Sequence, residues 1–284
     1  MDKKTAAILL ASLLERIERD HAIGATSSHE RQALRLAVQA LGGKDAPAPL
    51  PPAPPPIAVD SPIEPPRIDL VLSSIQREEK TTPDVLMCLD FGTAMSKAFA
   101  SVFPGQHLDL ALGVAAGKEG YALPSSVFIA DDGNAYFGFE AIEMSQGFES
   151  SGRERLDSIK GWISLQQEGS LDGEGNILSK AMNPSGVKLT QGDLLRIYLA
   201  YFTDVAEHAL KPHVAEPRYV KRRYARPCWP DSKAQWGNDL MRRMLAEAQV
   251  LADTVSGRWA GGINVAELKA AVEKIKNSIN DRTI

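Results

Sequence analysis

The stretch Met87-Cys-Leu-Asp-Phe-Gly-Thr-Ala-Met-Ser-Lys97 decides how the chain is read. An apolar run, Val85 to Leu89, ends in the carboxylate of Asp90. A glycine-hydroxyl turn, Gly92-Thr93, follows, and a second apolar run returns from Ala98 to Phe103. This pattern predicts a β-hairpin whose tip offers backbone N–H groups, a hydroxyl and one acid to a single point. Glycine lets such amides approach a phosphate closely, because no Cβ stands in the way. An acid beside them suits the water shell of a Mg²⁺ brought in by the phosphates. The plainer alternative on these residues is an ordinary hairpin with an aspartate at its turn.

Composition sets the outer limits. The 284 residues suffice for one large or two ordinary domains, and 44% hydrophobic with 24% charged residues is the balance of a soluble globular chain. A formal charge of −4 argues against binding nucleic acid by phosphate neutralisation. Cys88 and Cys228 are too few for a disulfide framework and read as small buried hydrophobes in a reducing compartment. Ala6 to Leu14 is too short to span a membrane and lacks a small-residue cleavage site, so a cytoplasmic protein is expected.

The order of the segments after the first hairpin adds a more specific signal. Asp90-Phe-Gly-Thr93 resembles the first phosphate motif of the actin-like ATPase superfamily. Leu123-Pro-Ser-Ser-Val-Phe-Ile-Ala-Asp-Asp-Gly-Asn-Ala-Tyr-Phe-Gly138 is similar to the hairpin that follows it in the heat-shock-protein-70 (DnaK-type) branch. Ser158-Ile-Lys-Gly-Trp-Ile163 is similar to that branch's lysine-bearing segment. The resemblance implies an α/β fold, an actin-like (ribonuclease H-like) ATPase lobe with a mixed sheet flanked by helices. It further implies ATP and Mg²⁺ as cofactors and chaperone ATPase activity. Gly92, Thr93, Ala94 and Met95 would lie against the phosphates and Asp90 would order the waters of Mg²⁺. Lys160 would reach the γ-phosphate and the attacking water. The alanine-rich segment after Gly261-Gly262 puts Glu267 where the family has the acid that positions that water. From its residues alone Glu267 reads equally as an exposed helix carboxylate. Ala94 lacks a hydroxyl often found in the motif, and Met95-Ser-Lys97 sets a bulky apolar residue and a cation beside the tip.

Three regions are expected. Residues 1–43 read as a helical hairpin, with Ile8, Leu9, Leu13 and Ile17 on one stripe and Leu34, Val38 and Leu41 on another. It would serve either as a docking or self-association module or as an appendage of its own domain. Residues 44–83 read as a Pro-rich linker, since ten of the eighteen prolines fall between Lys44 and Pro66. Within it Ile68, Leu70 and Leu72 alternate ambiguously. Residues 84–284 read as the ATPase N-terminal lobe, and the resemblance runs from about Asp84 to Lys276. A second phosphate motif and an adenosine-binding glycine pair are not recognisable, so either a piece of a longer ATPase or a one-lobe protein is expected. Partners would be ATP and, at full length, protein clients or co-chaperones. The alternative is a non-hydrolysing scaffold recruiting partners through the N-terminal helices and the proline stretch.

Inside the lobe, Thr190-Gln-Gly-Asp193 starts a helix to Leu210, and Lys233 to Val255 is a second amphipathic helix. Pro124 to Ile129 and Ala135 to Phe139 form a hairpin around Asp131-Asp132-Gly133-Asn134, whose acids are expected to bond the turn backbone rather than a metal. Glu168 to Ser179 reads as a surface excursion. The strand Arg218 to Ala225 carries Lys221, Arg222 and Arg223, unlike the apolar strand the family has there, and reads as an edge or a shifted register.

Overall fold

The β1–β2 hairpin forms as its apolar alternation requires. In a computed structural model, β1 (Val85–Asp90) and β2 (Met95–Val102) pair antiparallel, with Asp90 opposite Lys97. The structure describes residues 68–76, 84–148, 151–165, 171–225 and 229–279. The chain partitions into two compact units, Met1–Ile63 and Glu64–Ile284, and all described residues belong to the second. The helical hairpin expected over 1–43 and the proline-dense stretch from 44 to 66 lie outside the described residues.

The sheet is mixed. β3 (Gln106–Asp109) pairs with β2 on one side, and β7 (Lys221–Tyr224) runs parallel to β1 on the other, giving the order β3-β2-β1-β7. Leu108 lies in β3, while Leu110 and Leu112 are buried, and Leu112–Ala115 is a short helix, α2. The expected strand from Pro124 to Ile129 is cut in two. β4 (Ala122–Pro124) pairs with β2, whereas β5 (Val127–Ile129) starts a second sheet with β6 (Asn134–Phe137), which runs into α3 (Gly138–Gln146), and β8 (Ile263–Asn264). The cut falls at Ser125-Ser126.

The helix α5 (Gln191–Leu210) is the axle of the unit. Thr190 caps it through a capping box, its hydroxyl accepting from the Asp193 N–H while the Asp193 carboxylate accepts from the Thr190 N–H. An amphipathic helix should bury one stripe, but α5 is buried on nearly every face, Asp193, Arg196, Asp204 and Glu207 included. It lies among the sheet, α6 (Asp231–Thr254) and α7 (Val265–Ser278), so no face is left for water. Aromatic rings tie it to both sheets: Phe91 meets Tyr198 at 5.4 Å, and Phe137 meets Tyr201 at 5.3 Å and Trp259 at 5.2 Å. The opposite face of the first sheet is open, with Met95 41% and Phe99 42% exposed.

Residues 68–76, placed by the sequence at the end of the linker, pack on this unit. Ile68, Leu70, Leu72 and Ile75 lie against the core, the Val71 N–H donates to the Thr254 hydroxyl (3.2 Å), and Ser73–Gln76 is a helical turn, α1. β7 ends the first sheet, which accounts for its basic residues. Lys221 and Arg223 face water, while Arg222 turns inward onto Glu207. Among the described residues no helix is long and apolar enough to cross a membrane.

Candidate functional site

The tip between β1 and β2 is a tight turn. A Cβ on Gly92 would stand 1.8 Å from the Met95 carbonyl oxygen, closer than any side chain can sit, so the turn requires glycine there. Thr93, Ala94 and Met95 are exposed, and Asp90 at the end of β1 is half-buried. The N–H groups of Gly92, Thr93 and Ala94 donate to no protein group among the described residues. Three successive amides, a hydroxyl and a carboxylate thus meet solvent within one turn.

The lysine segment is brought to the same end of the sheet. Leu156 bridges to Val127 through paired backbone bonds of 2.9 Å, and the Ser126 hydroxyl donates to Asp157 at 2.7 Å. Asp157 is held in turn by the Arg155 guanidinium, at 2.7 and 2.9 Å. This anchoring sets Lys160 at the start of α4 (Lys160–Leu165), with its ammonium 5.8 Å from the centre of the Phe91 ring. Phe91 is the residue between Asp90 and Gly92. Neither Asp90 nor Lys160 has an ion-pair partner among the described residues.

Glu267 is engaged elsewhere. It sits in the first turn of α7 and takes both arms of the Arg258 guanidinium, at 2.6 and 2.9 Å. Its helix start is tied to the Gly133 turn, where the Val265 N–H donates to the Gly133 carbonyl at 2.9 Å. That turn is the end of the β5–β6 hairpin remote from Ser126. The structure therefore brings Asp90, Gly92, Thr93, Ala94, Met95 and Lys160 to one end and leaves Glu267 apart.

The acids of the second hairpin turn bond backbone and neighbours. Asp132 accepts from the Asn134 N–H (2.9 Å) and amide group (3.0 Å), and Asp131 pairs with Arg153. No cluster of three or more His, Cys, Asp or Glu suited to a metal occurs among the described residues. Any Mg²⁺ met by Asp90 would therefore be one brought by a ligand and held through its water shell. Two hollows stand out in the unit, and neither includes the tip. One of about 820 Å³ lies at the far end of the sheet, lined by Asp84, Leu86, His107, Lys221 and Arg223 among others. The other, about 440 Å³, is lined by Asp172, Arg196, Glu247 and Lys276. At the tip itself Thr93, Ala94 and Met95 are exposed to solvent.

Sequence reading missed the residues under the turn. The Ser125 hydroxyl donates to the Gly92 carbonyl at 2.8 Å, and its N–H donates to the Ala94 carbonyl at 2.9 Å. Ser96 lies 3.0 Å from the Ser125 hydroxyl and 3.2 Å from the Tyr198 hydroxyl, all three buried. Burial pushes the Tyr198 phenol up to about 12, so it stays protonated and donates to the Pro124 carbonyl at 3.1 Å. Two adjacent serines inside an otherwise apolar strand were the available signal. Compared with known proteins, the chain matches no family model and no curated sequence.

Proposed function

We propose that the Glu64–Ile284 unit is the phosphate-binding half of an actin-like, heat-shock-protein-70-like ATPase, and that its tip takes the triphosphate of Mg-ATP. The observation that carries this reading is the Lys160 ammonium standing 5.8 Å from the Phe91 ring at the head of the Asp90–Thr93 turn. A cation beside Phe91, three amides without protein acceptors among the described residues and an acid at the end of β1 are the groups that suit a polyphosphate and its metal. Thr93 and the amides of Gly92 to Met95 hold phosphate oxygens, Asp90 orders the Mg²⁺ waters, and Lys160 neutralises charge on the terminal phosphate. An exposed turn leaves water in contact with the phosphates. Alignment for in-line attack calls for a second surface closing over it, as the two-lobed resemblance implies.

The non-hydrolysing scaffold is favoured by one observation, the capture of Glu267 by Arg258 away from the tip. Without an acid to orient water, the unit binds nucleotide and turns it over poorly. Isothermal titration of the full chain with Mg-ATP tests both. Heat that disappears in Asp90→Ala and Lys160→Ala supports the nucleotide site, and heat unaltered by either substitution overturns it. Phosphate release from the wild-type chain then separates hydrolysis from binding alone.

A further inference from the structure

We infer that Ser125 is a positioning residue that turns the Thr93 N–H group outward, and that Ser96 and Tyr198 hold it in place. The inference rests on the phosphate reading of the tip for its purpose, and on geometry for its content. In a trans peptide the C=O of one residue and the N–H of the next point in opposite directions. Ser125 draws two tip carbonyls toward itself, Gly92 through its hydroxyl and Ala94 through its N–H. The N–H group on the far side of the Gly92 peptide plane, that of Thr93, therefore points away from Ser125. The Thr93 N–H accordingly finds no protein acceptor among the described residues.

The protons of the relay add up. The Tyr198 hydroxyl donates to the Pro124 carbonyl and the Ser125 hydroxyl to Gly92, which leaves the Ser96 hydroxyl to donate to Ser125 or Tyr198. Every donor is used, as a buried polar group requires. The cut between β4 and β5 acquires a reason from this. Ser125 leaves the ladder of the first sheet at the point where its side chain can reach Gly92, and Ser126 faces Asp157 and the lysine segment. One pair of serines thus fixes the amides of the tip and the approach of Lys160 together.

Ser125→Ala, Ser96→Ala and Leu268→Ala in the full chain test the assignment; Leu268 is a fully buried core residue on α7. Two readouts are needed: Mg-ATP affinity by calorimetry, and the ¹H–¹⁵N shift and exchange rate of the Thr93 amide without ligand. Ser125→Ala is expected to weaken Mg-ATP about tenfold and to move the Thr93 amide, with Ser96→Ala doing both about threefold less. Leu268→Ala is expected to lower the melting temperature and leave both readouts alone. If the wild type takes up no Mg-ATP, the phosphate reading falls and the ligand-free amide decides. A moved Thr93 signal still upholds the positioning role, and an unmoved one overturns it. Should Ser125→Ala fail to fold, an unmoved Thr93 amide in Ser96→Ala overturns it as well.

Discussion

Two ends of the same unit treat charge in opposite ways. Beneath the N-terminus of α5, Asp193 is buried and meets Lys269 at 2.7 Å and Lys276 at 2.5 Å. Arg196 bonds Glu247 at 2.5 Å and Asp172 at 2.8 Å, and Lys276 also reaches Asp172 at 2.8 Å. Every charge there has a counter-charge and a hydrogen bond. At the tip, Asp90 and Lys160 are half-buried and have no ionic partner among the described residues. Buried charges survive folding only when paired, so the first cluster serves the fold. On the nucleotide reading proposed above, charges left without a protein partner are the ones that meet a ligand's.

The largest effect expected from this contrast is on stability. Arg196→Met removes the guanidinium shared by Glu247 and Asp172 and leaves Glu247, 1% exposed, with only the solvent-facing Arg243. Breaking one member of a buried network costs about 3–5 kcal/mol. Urea unfolding should register that loss, and a change below about 1 kcal/mol would place the network among ordinary surface pairs.

Acid probes the same cluster. Burial alone would raise the Asp193 carboxyl, but the Lys269 and Lys276 ammonium groups outweigh it and hold the group at about 2 against an ordinary 3.8. A depressed carboxyl stabilises the fold above its unfolded value and loses that contribution as pH falls through the folded one. The window is therefore pH 4 to 2, and the contribution is about 2 kcal/mol. Asp204, Glu207 and Asp253, which burial pushes up, change in the opposite sense and offset part of the loss. The measurement is thus the gap in unfolding free energy between wild type and Asp193→Asn, which should shrink as pH drops from 4 to 2. A gap that stays constant would mean that Asp193 is not held ionised by the two lysines.

At the tip the ranking reverses. Asp90→Ala and Lys160→Ala should each leave the melting temperature within about one degree, since neither removes a partnered group and such substitutions stay near ±0.5 kcal/mol. Each should weaken Mg-ATP about tenfold or more. A large drop in stability from either would show that the two charges are structural after all, and the contrast would collapse.

How much of this was legible in the sequence follows from the range of the interactions. The β1–β2 hairpin, the cap at Thr190, and the helices from Gln191, Asp231 and Val265 follow from local periodicity and capping residues. The expected excursion between Glu168 and Ser179 holds a buried Leu171 and the paired Asp172, because glycine and acid content says nothing about a partner far along the chain. The division of Pro124 to Ile129 between two sheets was equally hidden. An apolar run shows that a strand is buried, and only the distant Gly92 and Asp157 explain why it breaks at two serines. At the site, Asp90, the glycine turn and Lys160 could be read as a motif. Ser96, Ser125 and Tyr198 could not, since a buried hydroxyl and a core residue look alike until their partners are known.

The smallest effect concerns Glu267, the acid apart from both ends. Its pair with Arg258 is bidentate, but the Arg258 side chain is 53% exposed, and solvent screens the attraction. Glu267→Gln should cost less than about 1 kcal/mol of stability. Its effect on nucleotide discriminates more sharply than its effect on folding. If Glu267 stays with Arg258, the substitution leaves Mg-ATP affinity and any phosphate release at wild-type values, while Asp90→Ala weakens binding about tenfold or more in the same assay. If a second surface closing over the tip draws α7 inward, phosphate release falls while affinity holds, because an acid that orients water acts on the transition state more than on the bound nucleotide. The split between those two readouts decides whether the unit binds nucleotide as a scaffold or as half of a working ATPase.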